Sequence, residues 1–204
     1  MFKSLQFSHI NFNNQPKFFC ILFTAGCNFD CLWCHNRILV EKDKIKTIPD
    51  LKEKDIKKLL LSKKNKIDGV NITGGEPTLW GSRLLKFMKW CKENGFLVRL
   101  NTNGYLPDVL KTYIDANVLD FIAMDIKNSF EKYGMTVNKT NLDINRIKKS
   151  AELIKSSKIP YQFQTTLVPN LHTREDIEKI EEFLKEEVFI QNYNVFCNFS
   201  YISI

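Results

Sequence analysis

The chain has 204 residues, 44% hydrophobic and 26% charged, proportions that exclude wholesale disorder and a disulfide-built mini-fold and suit one domain or at most two small ones. Its longest apolar run, residues 18–23, has strand length rather than the ~20 residues of a membrane span, and MFKSLQFSHINFNN lacks a small-residue cleavage site, so neither a membrane anchor nor export is expected. The formal charge of +7 comes mostly from 25 lysines spread over several predicted helices, which reads as solvated surface; a docking face for an acidic partner is the alternative, and no nucleic-acid-binding pattern is present.

Residues 18–24 form an apolar β-type run. Asp50 offers an N-cap with Glu53 three residues on, and Ile56, Leu59 and Leu60 make a helical stripe. Residues 67–73 read as a second strand. The helix after it is opened by Pro77, carries Leu84, Met88 and Cys91 on one face, and is stopped by Asn94-Gly95. Residues 96–100 are strand, 107–114 helix and 119–126 a strongly apolar strand. A helix over 143–156 sets Ile144, Ile147, Ala151 and Ile154 at helical spacing, and 161–168 is β-rich. Thr173 with Asp176 caps a helix bearing Ile177, Ile180 and Leu184, and 188–199 is a last β-type stretch.

Six strands alternating with five helices imply βαβ units and a parallel sheet, either doubly wound or curved into an incomplete barrel. Residues 1–17 read as a short N-terminal extension, and no linker or repeat divides the chain, so a single domain over 1–204 is expected. In either architecture functional residues gather at the carboxyl ends of the strands. GCNFDCLWC, TGGEP, NTNG, DIK and VPN follow the first five strands in turn. Five such loops on one rim point to an enzyme.

The cysteines narrow the chemistry. Without an export signal they belong to a reducing compartment, where thiols serve as metal ligands, catalysts or core filler. Cys20, Cys91 and Cys197 stand among apolar neighbours and read as small buried residues. Cys27, Cys31 and Cys34 fall within eight residues, a spacing that lets one loop wrap a thiophilic centre. A c-type haem attachment through Cys31-Leu32-Trp33-Cys34-His35 would leave Cys27 idle. A zinc site completed by His35 would need two adjacent residues to reach one ion. An iron–sulfur cube held by three thiolates, with one iron open for chemistry, is the preferred reading.

CNFDCLWC resembles the CxxxCxΦC motif of the radical S-adenosylmethionine (SAM) superfamily, with Trp33 as the aromatic residue, and TGGEPT resembles that family's GGEP motif. The resemblance implies an α/β fold, a partial (β/α)6 barrel whose parallel sheet is backed by outer helices. It implies that Cys27, Cys31 and Cys34 hold a [4Fe–4S] cluster that binds SAM and cleaves it, giving methionine and a 5′-deoxyadenosyl radical. Gly74, Gly75, Glu76 and Pro77 would lie against SAM. Asn101 and Thr102 in NTNG, and Asp125 and Lys127 in MDIK, resemble the motifs that face the SAM ribose and carboxylate in the glycyl-radical-activating branch. Asn101 stands where pyruvate formate-lyase activating enzymes carry aspartate, so a monovalent cation there is in doubt. Val168 matches the adenine-side strand loosely, His35 reads as loop support and His172 as surface.

The fullest resemblance, from about Phe7 to Tyr193, is to the activating proteins of anaerobic ribonucleoside-triphosphate reductases. Asn13-Asn14-Gln15-Pro16 departs from that pattern, and the segment after Tyr193 matches nothing in it. The implied partners are a glycyl radical enzyme, foremost anaerobic ribonucleotide reductase, and a flavodoxin- or ferredoxin-like electron donor, in the cytoplasm. A pyruvate formate-lyase-type activating enzyme, a radical SAM enzyme acting on a small molecule or peptide, and a non-catalytic metal or electron-transfer module are the alternatives.

Overall fold

A computed structural model describes residues 1–192. The chain opens with a hairpin in which β1 (Phe2–Phe12) pairs antiparallel with β2 (Gln15–Thr24). Asn13 and Asn14 both take positive φ, 51° and 61°, the backbone that a two-residue hairpin turn demands and asparagine tolerates. Then follow α1 (Arg37–Val40), α2 (Lys42–Thr47), α3 (Glu53–Ser62), β3 (Gly69–Gly74), α4 (Gly81–Glu93), β4 (Leu97–Thr102), α5 (Pro107–Asp115) and β5 (Phe121–Asp125). The order continues with α6 (Phe130–Thr136), α7 (Ile144–Ser156), β6 (Tyr161–Leu167), α8 (Arg174–Leu184) and β7 (Phe189–Asn192).

The strands lie side by side in chain order, and β2 to β7 are parallel throughout. The rings of Phe12 on β1 and Phe121 on β5 lie 5.5 Å apart. In a flat sheet those strands would be roughly 19 Å apart, at ~4.8 Å per strand. The sheet therefore curls into a half-barrel. These six parallel strands are the six of the expected partial barrel. The seventh strand comes from residues expected only as an extension: the segment before residue 18 supplies an edge strand that buries Phe2 and Leu5 in the main core and Phe12 in the cluster on the other face, with a register shift between Phe2 and Ser4.

Alternation divides the two faces. Leu22, Val70, Ile72, Val98, Leu100, Ile122 and Met124 face outward into the main core, beneath Leu84, Phe87 and Met88 of α4 and Ile147 and Ile154 of α7. Each such side chain contributes about 1.5–3 kcal/mol by leaving water. On the concave face Phe12, Phe19, Phe121 and Ala123 form an apolar cluster near the strands' amino ends. Arg99 lies above it, stacked at 4.5 Å on Phe121, with Nη1 donating to Asn11 O at 3.1 Å. Burial with no carboxylate partner lowers its pKa to about 10. The carboxyl ends of the strands are left to polar residues.

Two local expectations change. Asp50 does not cap α3, which has Lys52 at its N-cap with no side-chain bond; Asp50 instead lies 3.2 Å from Lys3 Nζ. Pro77 opens a short 3-10 turn, Pro77–Trp80, and α4 begins only at Gly81. The capping box of Thr173 and Asp176 on α8 is present as expected. Cys20 and Cys91 are fully buried core residues. Cys197 and most of the last expected strand lie outside the described residues. Among the described residues no helix is long and apolar enough to cross a membrane.

Candidate active site

At the carboxyl rim of the half-barrel one cavity is lined from every central strand. Cys27, Cys31, Trp33 and Cys34 come from the loop after β2, and Gly74, Gly75 and Glu76 from the end of β3. Asn101, Thr102 and Asn103 follow on β4, Asp125 and Lys127 on β5, and Gln164 and Thr166 on β6.

The glycines explain how the cysteine loop is seated. A Cβ on Gly75 would lie 1.9 Å from Gly26 O, and one on Gly74, at φ 114°, 2.3 Å from Thr24 N. Only bare backbone fits, and in that space Gly75 N–H donates to Thr24 O at 2.9 Å and Glu76 N–H to Gly26 O at 2.7 Å. The double glycine thus grips the chain immediately before Cys27. Asn36 Nδ2 adds a bond to Gly74 O at 3.0 Å from beyond Cys34. Arg37 spans the loop, with Nη1 2.6 Å from Asp30 Oδ1 and Nε 2.5 Å from Glu41 Oε1.

Glu76 is 1% exposed, and every partner it has is a donor. Oε1 accepts from Thr78 N–H (3.0 Å), Thr78 Oγ1 (2.6 Å) and Thr102 Oγ1 (2.7 Å), and Oε2 from Asn103 N–H (2.7 Å). Burial pushes its pKa up, against the four donors that favour the carboxylate. Thr102 spends its hydroxyl on this bond and accepts from Gly104 N–H at 3.1 Å. Glu76 and Thr102 therefore organise the rim from within. Pro77, buried at the start of the 3-10 turn, is not part of the cavity wall.

On the far side Lys127 Nζ is 3.1 Å from Asp125 Oδ2 and 5.3 Å from the Trp33 ring. Burial alone would lower the lysine's pKa; Asp125 and Cys31 outweigh it and hold it above its ordinary value. Asp125 Oδ1 also accepts from Gln164 Nε2 at 2.7 Å. Asn101 Oδ1 accepts from Arg99 Nε at 3.3 Å. Val168 does not reach the cavity; it lines a neighbouring hollow with His172.

His172, expected at the surface, is 9% exposed. Its Nδ1 accepts from Val168 N–H at 3.1 Å, which leaves Nε2–H to donate to Lys127 O at 2.8 Å. It anchors the backbone of the DIK loop and meets Trp33 edge-on at 6.5 Å. Nothing in its immediate sequence distinguishes this His from a solvated one. Asn36, Asn103, Gln164 and His172 are the residues that the sequence reading missed. Gln164 was accessible in principle, two positions from Thr166 on the same strand face.

The donor set fits a thiolate-bound cluster. All three thiols are unpaired by disulfides and border one cavity. Burial, with the charge of Glu76 behind it, pushes Cys27 up to about 12, and burial raises Cys31 and Cys34 too, so metal binding must displace three protons. Among the described residues no three Cys, His, Asp or Glu side chains converge on one point as a single ion requires. Three thiols on one loop that border one cavity can each take their own iron of a polynuclear centre. Asn28 Nδ2, one residue from Cys27, is buried with no partner among the described residues.

Comparison with known proteins agrees with the geometry. A Methanocaldococcus jannaschii protein named as a putative glycyl-radical enzyme activating enzyme is 33% identical over 170 residues, covering 81% of this chain and 68% of the relative. A pyruvate formate-lyase-activating enzyme of Staphylococcus aureus is 28% identical over 189 residues, 86% of this chain and 72% of the relative. Among solved structures, anSMEcpe with bound AdoMet superposes with a TM-score of 0.65 at 19% identity, over 84% of this chain and 50% of that one, a likeness of fold. This chain thus spans about two thirds of the first relative and half of the solved structure. Residues 21–186 match the radical SAM superfamily, and with a half-barrel, a three-cysteine loop and a double-glycine turn all in register, the chain belongs to that superfamily.

Proposed function

We propose that this protein is a radical SAM activating enzyme that generates a glycyl radical on a partner enzyme, most specifically on an anaerobic ribonucleotide reductase. The observation that carries the reading is the convergence of Cys27, Cys31 and Cys34 with the turns after β3, β4 and β5 on one cavity at the rim of the half-barrel. The names of the two relatives support activation of a glycyl radical enzyme. The likeness to reductase-activating proteins in FTAGCNFDCLWCHN and DFIAMDIKNSFEKYG supports the finer choice of partner.

In this reading 1–204 works as one domain. Cys27, Cys31 and Cys34 would hold a single [4Fe–4S] cluster, which would supply the electron for reductive cleavage of SAM to methionine and a 5′-deoxyadenosyl radical. Gly74 and Gly75 offer backbone polar groups to the cofactor, Asn101 an amide, and Asp125 and Lys127 an opposed pair of charges. Lys127, held by Asp125 and by the His172 bond to its carbonyl, keeps its positive charge in a buried place where an anionic group of SAM is matched. Trp33 walls this charge from solvent. A flavodoxin- or ferredoxin-like donor provides the electron, and the setting is cytoplasmic. Neither a membrane nor nucleic acid takes part.

Anaerobic reconstitution tests the proposal. Roughly four irons and four sulfides per chain, with 5′-deoxyadenosine formed on reduction in the presence of SAM, are expected. A glycyl signal by electron paramagnetic resonance should follow on mixing with an anaerobic ribonucleotide reductase. Bound zinc without SAM cleavage would overturn the enzymatic reading, and SAM cleavage with no glycyl signal would overturn the choice of partner.

A further inference from the structure

Asn103 is the third residue of the NTNG turn, next to Asn101 and Thr102. It is 4% exposed and held at three points. Its backbone N–H donates to Glu76 Oε2 at 2.7 Å, its side-chain Oδ1 accepts from Tyr105 N–H at 3.0 Å, and its Nδ2 donates to Asn28 Oδ1 at 2.7 Å. With Oδ1 occupied by a donor, the amide can only present its N–H groups toward the cysteine loop. The second of them faces Cys27 Sγ at 3.8 Å, within reach of an N–H···S bond, and Phe29 N–H approaches the same sulfur at 3.4 Å. Because Asn28 Oδ1 is taken by Asn103, the Asn28 amide is fixed as well, and its Nδ2 is left buried with no partner among the described residues. A buried donor without an acceptor is costly, and such groups persist where something else completes them.

We infer that Asn103 and Asn28 form a pair that holds and tunes the Cys27 corner of the cluster, Asn28 Oδ1 fixing the Asn103 amide and Asn103 donating toward the Cys27 sulfur. This rests on the cluster reading above and adds to it two residues and a property, the ease of reduction. Reduction adds one negative charge to the cluster, and donors aimed at its sulfurs favour the more negative state, so they raise the potential. The pair is positioning machinery: neither residue needs to touch substrate. Its connection to Glu76 gives the GGEP turn a second task, since the carboxylate that grips Asn103 fixes the direction of the amide.

The test uses the full chain, reconstituted without oxygen, and reads the midpoint potential of the cluster by spectroelectrochemistry together with iron content and thermal melting. Asn103→Ala removes the donor and Asn28→Ala the acceptor that orients it; Asn103→Asp keeps the Tyr105 acceptor and turns an oxygen toward Cys27. Each variant is expected to shift the midpoint negative, Asn103→Asp the most, while binding as much iron as wild type. A variant that melts cooperatively but no longer retains iron also supports the pair, as the holding half of the role. Midpoints equal to wild type in all iron-loaded variants overturn the inference, and so does loss of cooperative melting in every variant, which would make the pair a part of the fold alone. If wild-type protein itself takes up no cluster, the function proposed above fails instead.

Discussion

The backbone N–H of Asn103 donates to Glu76 Oε2 at 2.7 Å, joining the turn after β4 to the turn after β3. The bond is one of four that saturate a carboxylate 1% exposed. Glu76→Gln would set an amide N–H₂ against one of these donors and leave it unpaired, at a cost of about 1–3 kcal/mol. A urea titration should show that loss in the midpoint at constant slope. A variant as stable as wild type would contradict the assignment of all four partners as donors.

Gly75→Ala should be among the most damaging single changes, because its Cβ would meet backbone, Gly26 O, at 1.9 Å. Either the turn or the start of the cysteine loop must move, so about 3 kcal/mol or more of stability and most of the iron uptake should be lost. Gly81→Ala is the control. Its φ of 42° with ψ −124° strains any side chain, yet no atom of the described residues lies within 4 Å of the added Cβ, so the cost should be about 1–3 kcal/mol with iron uptake kept. Melting curves and iron assays on the pair decide the matter; equal effects would refute the close-approach argument.

Asp176 predicts a pH dependence of stability. It is 2% exposed and accepts from Ser129 Oγ (2.8 Å), Lys132 Nζ (2.7 Å), Thr173 N–H (2.8 Å) and Thr173 Oγ1 (2.8 Å). Burial acts to raise its pKa, but these donors outweigh it and hold the carboxyl well below the usual range. A depressed carboxylate contributes stability that is complete above its unfolded value, near ~4, and is lost as pH falls through the native value. Asp176→Asn should cost about 2–3 kcal/mol at pH 7, and the gap to wild type should begin to close below pH ~4. Denaturation series at pH 7, 5 and 3 measure it; a gap constant down to pH 3 would refute this linkage.

The cysteines separate ligand from filler. Cys27→Ala, Cys31→Ala and Cys34→Ala should each abolish SAM cleavage and most iron retention. Cys91→Ala, at a fully buried position on the inner face of α4, should cost only packing, about 1 kcal/mol or somewhat more, with iron content unchanged. Retained cleavage in any of the first three would remove that residue from the ligand set.

Short-range signals carried most of what could be read in advance. The six parallel strands, the capping box at Thr173 and the buried Cys20 and Cys91 all follow from apolar periodicity and local capping chemistry, which act within a few residues. The edge strand β1 was missed because its apolar residues are interrupted by Ser, His and Asn. A strand with one partner needs to bury only part of one face, and that leaves a weak pattern. Asp50 was misjudged as a cap since a nearby cation, Lys3, outcompeted the helix end for it.

The amino-acid sequence by itself determined the chemistry on offer: three thiols on one short loop, a double glycine, and polar turns placed by alternation at the same end of every parallel strand. What tertiary structure alone decided is the direction in which those groups act. Glu76 turned inward to four donors, Val168 fell outside the cavity, His172 left the surface to hold the Lys127 carbonyl, and Asn103 came to face Cys27 across 76 positions of sequence. A hydrogen bond has a range of about 3 Å and a required angle. Partners so distant along the chain are set only once the sheet has curled and brought its strand ends together.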